Sequence, residues 1–338
     1  MITGWKKQVF MRVRVAIVIL SAVVACRAAS AQPGVFQSIA PGVWFRETSG
    51  GCNNIVIEMS DHLVIVDANY PGLALDLMRS IKDVSAKPIK LVIDTHHHPD
   101  HLYGNHVFTR LGAKTIGHVG ILEELKRYEP DMWRGVAKAR KDMASAADRD
   151  GPEPPQETYS ESPHVITDGN RRIELHHFTF GHTRGDTFVY LPKEKILCTG
   201  DAVVNGPFSD PKHAYMRGWP EEIRAAQKLD VQIVLPGHGP PSDKSLLSGQ
   251  IEFFEELYKA VDAAIKAGKS RDELVTMKDG RAVATTIQLP KHLMEKYVFS
   301  DPKLPWQISR FPTQVLCTYE EIVQGKPWGD IVGRKPPE

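Results

Sequence analysis

The stretch THHHPDH at positions 95–101 places four histidines and an aspartate on one short segment. Its spacing is H-x-H-x-D-H: His96, His98, Asp100 and His101. Imidazole and carboxylate together suit zinc, and iron or manganese less specifically. Pro99 is expected to keep the stretch out of a helix. In an extended loop alternate side chains share a face, so His96 and His98 can chelate one ion while His97 points away. Asp100 and His101, beyond the proline turn, can reach a second ion. Two neighbouring cations repel strongly, so such a site needs a bridging anion and carboxylates. Three further segments supply candidates: GHTRGD with His182, TGD with Asp201 and PGHG with His238, each at the end of an apolar strand.

The surrounding pattern shows how these residues are carried. GVWFRE and NNIVIEM read as strands joined by the turn SGGCNN, which can close over the site as a flap. HLVIVDA (62–68) and IKLVIDT (89–95) read as buried strands, the second running into the histidine loop. Residues 72–84 and 119–148 have helical spacing, NHVFTRLG reads as a short helix, and AKTIGH as a short strand. The Pro-rich stretch 148–163 reads as a surface loop. Residues 171–180 alternate like a half-buried strand, DTFVYLP and KILCTGD form a hairpin around PKEK, PEEIRAAQKL is a helix, and VQIVLPG is a strand. Two βαβ-containing halves with ligands where strands run out point to an α/β fold, an αββα sandwich with sheets inside and helices outside. After residue 242 a long amphipathic helix and helical pieces at 270–277 and 305–324 suggest a helical C-terminal extension. Its stripe of Phe253, Phe254, Leu257 and Tyr258 reads first as packing, and alternatively as a lid or homodimer contact.

The ordered set H-x-H-x-D-H, G-H-T, T-G-D, P-G-H resembles the metallo-β-lactamase superfamily of binuclear hydrolases, over about residues 35–242. The first motif alone is specific; the other three gain force from their order. The resemblance implies two Zn2+ ions. His96, His98 and His182 would hold the first, Asp100, His101 and His238 the second, with Asp201 bridging. It also implies a hydroxide between the metals that attacks an acyl or ester bond, with Asp100 orienting it and shuttling a proton. Branch features conflict. THHHPDH followed by Gly104–Asn105 is similar to glyoxalase II-like thioesterases, yet Leu102 and Tyr103 depart from that branch. Val204 stands where lactonases often carry Tyr, and Asp201 where the best-known secreted β-lactamases carry Cys or Ser. A β-lactam or lactone is the first expectation for the small-molecule substrate; a thioester, or iron-dependent sulfur oxidation on the same fold, is the alternative. A non-catalytic accessory role is disfavoured by the complete ligand set.

Substrate contacts are expected from Arg184, which can pair with a carboxylate, and from Asn205, Lys212, His213, Tyr215 and Arg217 in the loop after Asp201. Of the remaining histidines, His106 and His118 read as core or supporting, His62 and His292 as surface, and one of His176 and His177 as solvent-facing.

The chain has 338 residues, 42% hydrophobic and 25% charged, with formal charge +1. Five bases and no acid fall in the first 31 residues; the remainder carries 37 basic and 41 acidic side chains, a balance of −4. That balance, without a basic aromatic stripe, excludes nucleic acid as the expected partner. Lys6, Lys7, Arg12 and Arg14 precede the apolar run Val15–Ala25 and an A-x-A site at Ala29–Ala31. Residues 1–31 thus read as a signal peptide, leaving an exported, periplasmic protein without a membrane span. A lipobox-like VVAC would instead make Cys26 a lipidated first residue. The expected organisation is residues 1–31, a catalytic domain at 32–242 and the extension at 243–338. Cys52, Cys198 and Cys317 remain, an odd number that forms no disulfide framework, though one bridge is open to them.

Overall fold

A computed structural model describes Met1, residues 34–299 and residues 310–333. Residues 2–31 of the expected signal peptide, Cys26 included, and residues 305–309 of the last helical piece lie outside the described residues.

Two sheets face each other. The first holds β1 (Phe36–Ala40), β2 (Val43–Arg46), β3 (Asn54–Glu58), β4 (Leu63–Val66), β5 (Ile89–Asp94), β6 (Lys114–His118) and β7 (Glu157–Tyr159), in that order. β1 to β4 form an antiparallel meander; β4 to β7 run parallel. The parallel crossovers carry α1 (Pro71–Ser80), α2 (Pro99–Leu102), α3 (Asn105–Thr109), α4 (Gly120–Tyr128) and α5 (Asp131–Ala139). The second sheet holds β8 (His164–Thr167), β9 (Arg172–His176), β10 (Phe188–Leu191), β11 (Ile196–Cys198) and β12 (Ile233–Leu235). Its only parallel pair, β11 with β12, is connected through α6 (Trp219–Ala226).

Alternation along the strands sorts three apolar layers. Ile55, Ile57, Val64, Val66 and Ile93 meet Leu175, Val189, Leu191 and Leu235 between the sheets. Val56, Leu63, Ile65 and Val92 face outward onto α1 and α3. Both faces are covered, which is why these strands read as unbroken apolar runs. Each such side chain contributes roughly 1.5–3 kcal/mol by leaving water.

Residues after 242 form α7 (Ser245–Lys266), α8 (Arg271–Leu274), β13 (Val275–Lys278), β14 (Arg281–Thr285), α9 (Lys291–Tyr297), α10 (Phe311–Gln324) and α11 (Trp328–Val332). The extension is therefore not purely helical. The helix expected at 270–277 stops at Leu274 and a hairpin follows, turning at Asp279–Gly280 with φ of 50° and 74°. An Asp-Gly pair between β-formers is the signature of a tight hairpin. Strand β1 and strand β7, inside the expected 148–163 loop, also go beyond the sequence reading, and Pro130 divides the 119–148 helix into α4 and α5. Phe253, Phe254 and Leu257 are buried against Trp219 and Phe311 in the layer outside the second sheet, so the stripe packs inward. Tyr258 is half-buried.

Glu321 on α10 ties the extension to the loop before α6. Its carboxylate accepts N–H bonds from Met216 at 2.7 Å, Trp328 at 2.9 Å and Arg217 at 3.2 Å. Burial pushes its pKa up to about 7, against the lowering effect of those N–H donors. A raised pKa means stability present below the ordinary carboxylate range and lost as pH rises through about 7. The size is on the order of 3 kcal/mol. Glu321→Gln turns an amide donor toward one N–H and should lower stability by about 1–3 kcal/mol at pH 5. In urea unfolding, the gap between the native chain and the variant should narrow by pH 8; a gap constant from pH 5 to 8 would count against this assignment.

Candidate metal centre

Every side chain of the centre projects from the same edge of the two sheets. β4 ends at Asp67, β5 runs into Thr95 and His96, β11 into Asp201 and β12 into His238; His182 sits on the β9–β10 connection. Contrary to expectation, Pro99 does not exclude helix. It occupies the first position of α2, where its missing N–H costs nothing, and this turn directs Asp100 and His101 back to the cleft. The two motif glycines permit close approach. A Cβ on Gly237 would stand 2.1 Å from Asp201 Oδ1, and one on Gly200 (φ 50°) 2.5 Å from Thr95 Oγ1. Buried Gln250 of α7 secures the Asp201 loop: it accepts the Val204 N–H at 3.0 Å and donates to Ala202 O at 3.2 Å.

His96, His98, His182 and Asp201 form one convergent group, each offering a ligand atom within 4.8 Å of the others. Asp100, His101 and His238 form a second group on the same criterion. Asp201 touches both: Oδ1 is 3.3 Å from His101 Nε2, and Oδ2 is 3.3 Å from His238 Nε2. His96 Nε2, His101 Nε2, His182 Nε2 and Asp201 Oδ1 are buried without a hydrogen-bond partner among the described residues. Buried polar atoms without partners are rare and costly, and four aimed into one space fit a metal site.

The opposite ring nitrogens of His101 and His96 are held from behind. His101 Nδ1 is 2.8 Å from Asp67 Oδ2, and Asp67 also accepts Thr95 N–H at 2.8 Å and Thr95 Oγ1–H at 2.9 Å. His96 Nδ1 lies 3.0 Å from Thr95 Oγ1. His182 Nδ1 lies 3.4 Å from Asp186, whose carboxylate is fixed by Thr183 N–H and Oγ1–H. Burial, with Asp186 close by, holds Glu222 behind it well above the usual carboxylate range. Such outer carboxylates fix the tautomer and ring orientation of metal-binding imidazoles. Asp67, Asp186 and Glu222 were missed by sequence reasoning. Asp67 had a signal, since it ends an apolar strand as Asp201 does.

Charge divides the centre into two halves. Burial holds His96 and His98 well below their ordinary pKa, so both are neutral with a lone pair to offer. In the other half burial is overcome by charge: Asp201 and Asp100 raise His238 to about 10, and the Asp201, Asp67 and Asp100 carboxylates hold His101 well up. Burial would raise Asp201, but His238 and His101 keep it well below the carboxylate range.

The expected substrate residues are placed differently from one another. Arg184, expected at a substrate carboxylate, is paired within the protein. Its guanidinium pairs with Asp330, Nε lies 3.3 Å from Glu124 and 3.4 Å from Glu123, and the group stacks over Phe180 at 4.3 Å. Asn205 spends its amide on Pro240 O at 2.9 Å, and its N–H donates to His238 O at 2.9 Å, so it braces the His238 loop. His213 is buried, with Nδ1 turned toward His97 and His98. His97, expected to point away, is absent from the two groups above but converges with His98 and His213 in a third, its Nε2 2.8 Å from His213 Nδ1. The SGGCNN turn is a brace rather than a flap: Asn53 donates to Pro236 O and Gly239 O at 2.9 and 2.8 Å, and Asn69 Nδ2 to Cys52 O at 2.8 Å. The three described cysteines are free and buried, so no bridge forms. Burial raises the Cys52 thiol to about 12 and the Cys198 thiol further, which removes both as nucleophiles. His118 and His177 stack on each other at 3.7 Å, and His106 is buried on Tyr103 O. Neither His176 nor His177 is fully exposed, His176 being buried and His177 half-buried; His62 is half-buried and His292 exposed.

A family model described as the metallo-beta-lactamase superfamily matches residues 48–238. The metallo-beta-lactamase type 2 of Bacillus cereus is 26% identical over 201 residues, 58% of this chain and 70% of that protein. The 2,4-dinitroanisole O-demethylase subunit alpha of Nocardioides sp. (strain JS1661) is 23% identical over 235 residues, 68% of this chain and 66% of its own length. Among solved structures, a metallo-beta-lactamase from Pontibacter korlensis superposes with TM-score 0.52 at 22% identity, covering 65% of this chain and 98% of its own. The sec-alkylsulfatase Pisa1 from Pseudomonas sp. superposes with TM-score 0.65 at 16% identity, over 90% of this chain and 52% of its own, so its shared fold reaches into the residues after 242. With the family model spanning more than half of its length, and the centre described above inside that span, the chain belongs to the metallo-beta-lactamase superfamily and is a metal-dependent hydrolase.

Proposed function

We propose that the chain is an exported hydrolase that uses two zinc ions to open a cyclic amide or ester, a β-lactam or lactone. The observation that carries the two-metal reading is Asp201, whose two oxygens stand 3.3 Å from His101 and from His238 while Oδ1 and three imidazole nitrogens have no hydrogen-bond partner among the described residues. His96, His98 and His182 would hold one ion, Asp100, His101 and His238 the other, with Asp201 shared. The substrate class draws its support from the curated relatives named metallo-beta-lactamases, and the export reading from the basic and apolar run of residues 1–31.

When bound, the zinc pair supplies a water acidified toward neutrality and polarises the substrate carbonyl. The protein supplies the proton path. Asp100 is half-buried, with Oδ2 3.2 Å from His238 Nε2. Burial alone would raise it, but His101 and His238 hold it below the ordinary carboxylate range, so it is ionised at neutral pH. It can accept a proton from the attacking water and return it to the leaving nitrogen or oxygen. With both nearby thiols protonated, no covalent acyl-enzyme step is required of the chain.

The test is turnover by the zinc-loaded chain across β-lactams, lactones, thioesters, a secondary alkyl sulfate and an aryl methyl ether. The last two are included because relatives are named for those reactions. Chelation should abolish the activity and zinc restore it. His98→Ala should lose at least about 10³-fold in kcat/KM and retain fewer metals, with its circular dichroism unchanged; full turnover in that variant would remove His98 from the centre. Turnover confined to sulfates or ethers would overturn the lactam or lactone assignment. Asp67→Asn should weaken metal binding about 10–100-fold by releasing the His101 ring, read by competition with a chromophoric chelator.

A further inference from the structure

His213 sits in the loop between β11 and α6, 1% exposed. Its Nδ1 lies 3.0 Å from His98 Nε2 and 2.8 Å from His97 Nε2. These are hydrogen-bond lengths; two nitrogens on one tetrahedral zinc, at about 2.0–2.1 Å each, stand roughly 3.3 Å apart. His98 meets His96 and His182 edge-on, with ring centroids 4.6 and 4.7 Å away. With Nε2 turned to His213, the nitrogen His98 has left for the metal group is Nδ1.

We infer that His213 is the positioning residue for His98, fixing its tautomer so that Nδ1 faces the metal. This rests on His98 being a ligand, as proposed above. The proton count is closed. A ligating Nδ1 must be bare, so the His98 proton is on Nε2 and is donated to His213. His213 Nδ1 must then be bare, and its own proton lies on Nε2. His97 approaches the same atom, so the lone pair receives one hydrogen bond or shares two; in both cases it acts as acceptor.

The C-terminal extension holds His213 in place. The Tyr128 ring stacks on the imidazole at 3.6 Å, and Tyr128 Oη–H donates to Gly329 O at 3.1 Å. Gly329 N–H donates to Ala214 O at 3.0 Å, and a Cβ at Gly329 would stand 2.7 Å from His213 O. Glu321 captures the N–H groups of Met216 and Arg217 further along the loop. Residues after 242 thus reach the first metal position through one imidazole.

The test uses the full chain with three substitutions. His213→Leu removes the acceptor, His213→Asn places an amide oxygen near the Nδ1 position, and His213→Gln places its amide near Nε2. Zinc affinity by chelator competition and the visible spectrum of the cobalt(II)-substituted chain are read beside kcat/KM. The Leu variant should bind one metal about 10–100-fold more weakly with an altered cobalt spectrum. The Asn variant should recover both to within a few-fold, and the Gln variant should not. Unchanged affinity and spectrum in the Leu variant, or recovery by Gln rather than Asn, would overturn the inference. If the Leu variant does not fold, the contrast between Asn and Gln still decides. His98→Ala separates the two claims: if it keeps both metals, His98 is no ligand and the underlying reading fails.

Discussion

Burying imidazoles and carboxylates around one small space is the constraint on which the structure depends. Each would be solvated in water; in the interior each needs a partner. Nitrogens and an oxygen that face inward have none among the described residues, while the outward nitrogens of His101 and His96 meet Asp67 and Thr95, and His98 Nε2 meets His213. The centre is thus rigid from behind and unsatisfied in front. Such an arrangement is stable only as part of a scaffold that supplies the remaining free energy, and a cation is the natural compensation.

The scaffold explains how so many polar groups can converge. Parallel strands β4 and β5, and β11 with β12, end on one edge, where loops diverge without disturbing the apolar layers beneath. Gly200 and Gly237 let those loop backbones approach closely, since a side chain at Gly237 would push Asp201 aside and one at Gly200 would meet Thr95. Burial on both faces of the first sheet keeps the strand ends in register, and register keeps the ligands in place.

Much of this was legible in the chain itself. Apolar runs closing in His96, Asp201 and His238 marked both the strands and the residues they deliver. The hairpin at Asp279–Gly280 was legible too, but the amphipathic stretch before it invited a helical reading. Other features had no local signature. His213 meets His98 across 115 positions, and Arg184 meets Asp330 across 146, so neither contact could be read from spacing. Tertiary partners far along the chain decided what these charged and aromatic side chains do.

The stacking of Trp219 on Phe254, with Phe311 beside Phe253, has a bearing on how the molecule comes apart. One apolar layer joins the outer face of the second sheet to helices from the last quarter of the chain. Heat or denaturant should therefore melt catalytic scaffold and extension together in one cooperative transition, and a protease would find no stable smaller core to leave behind.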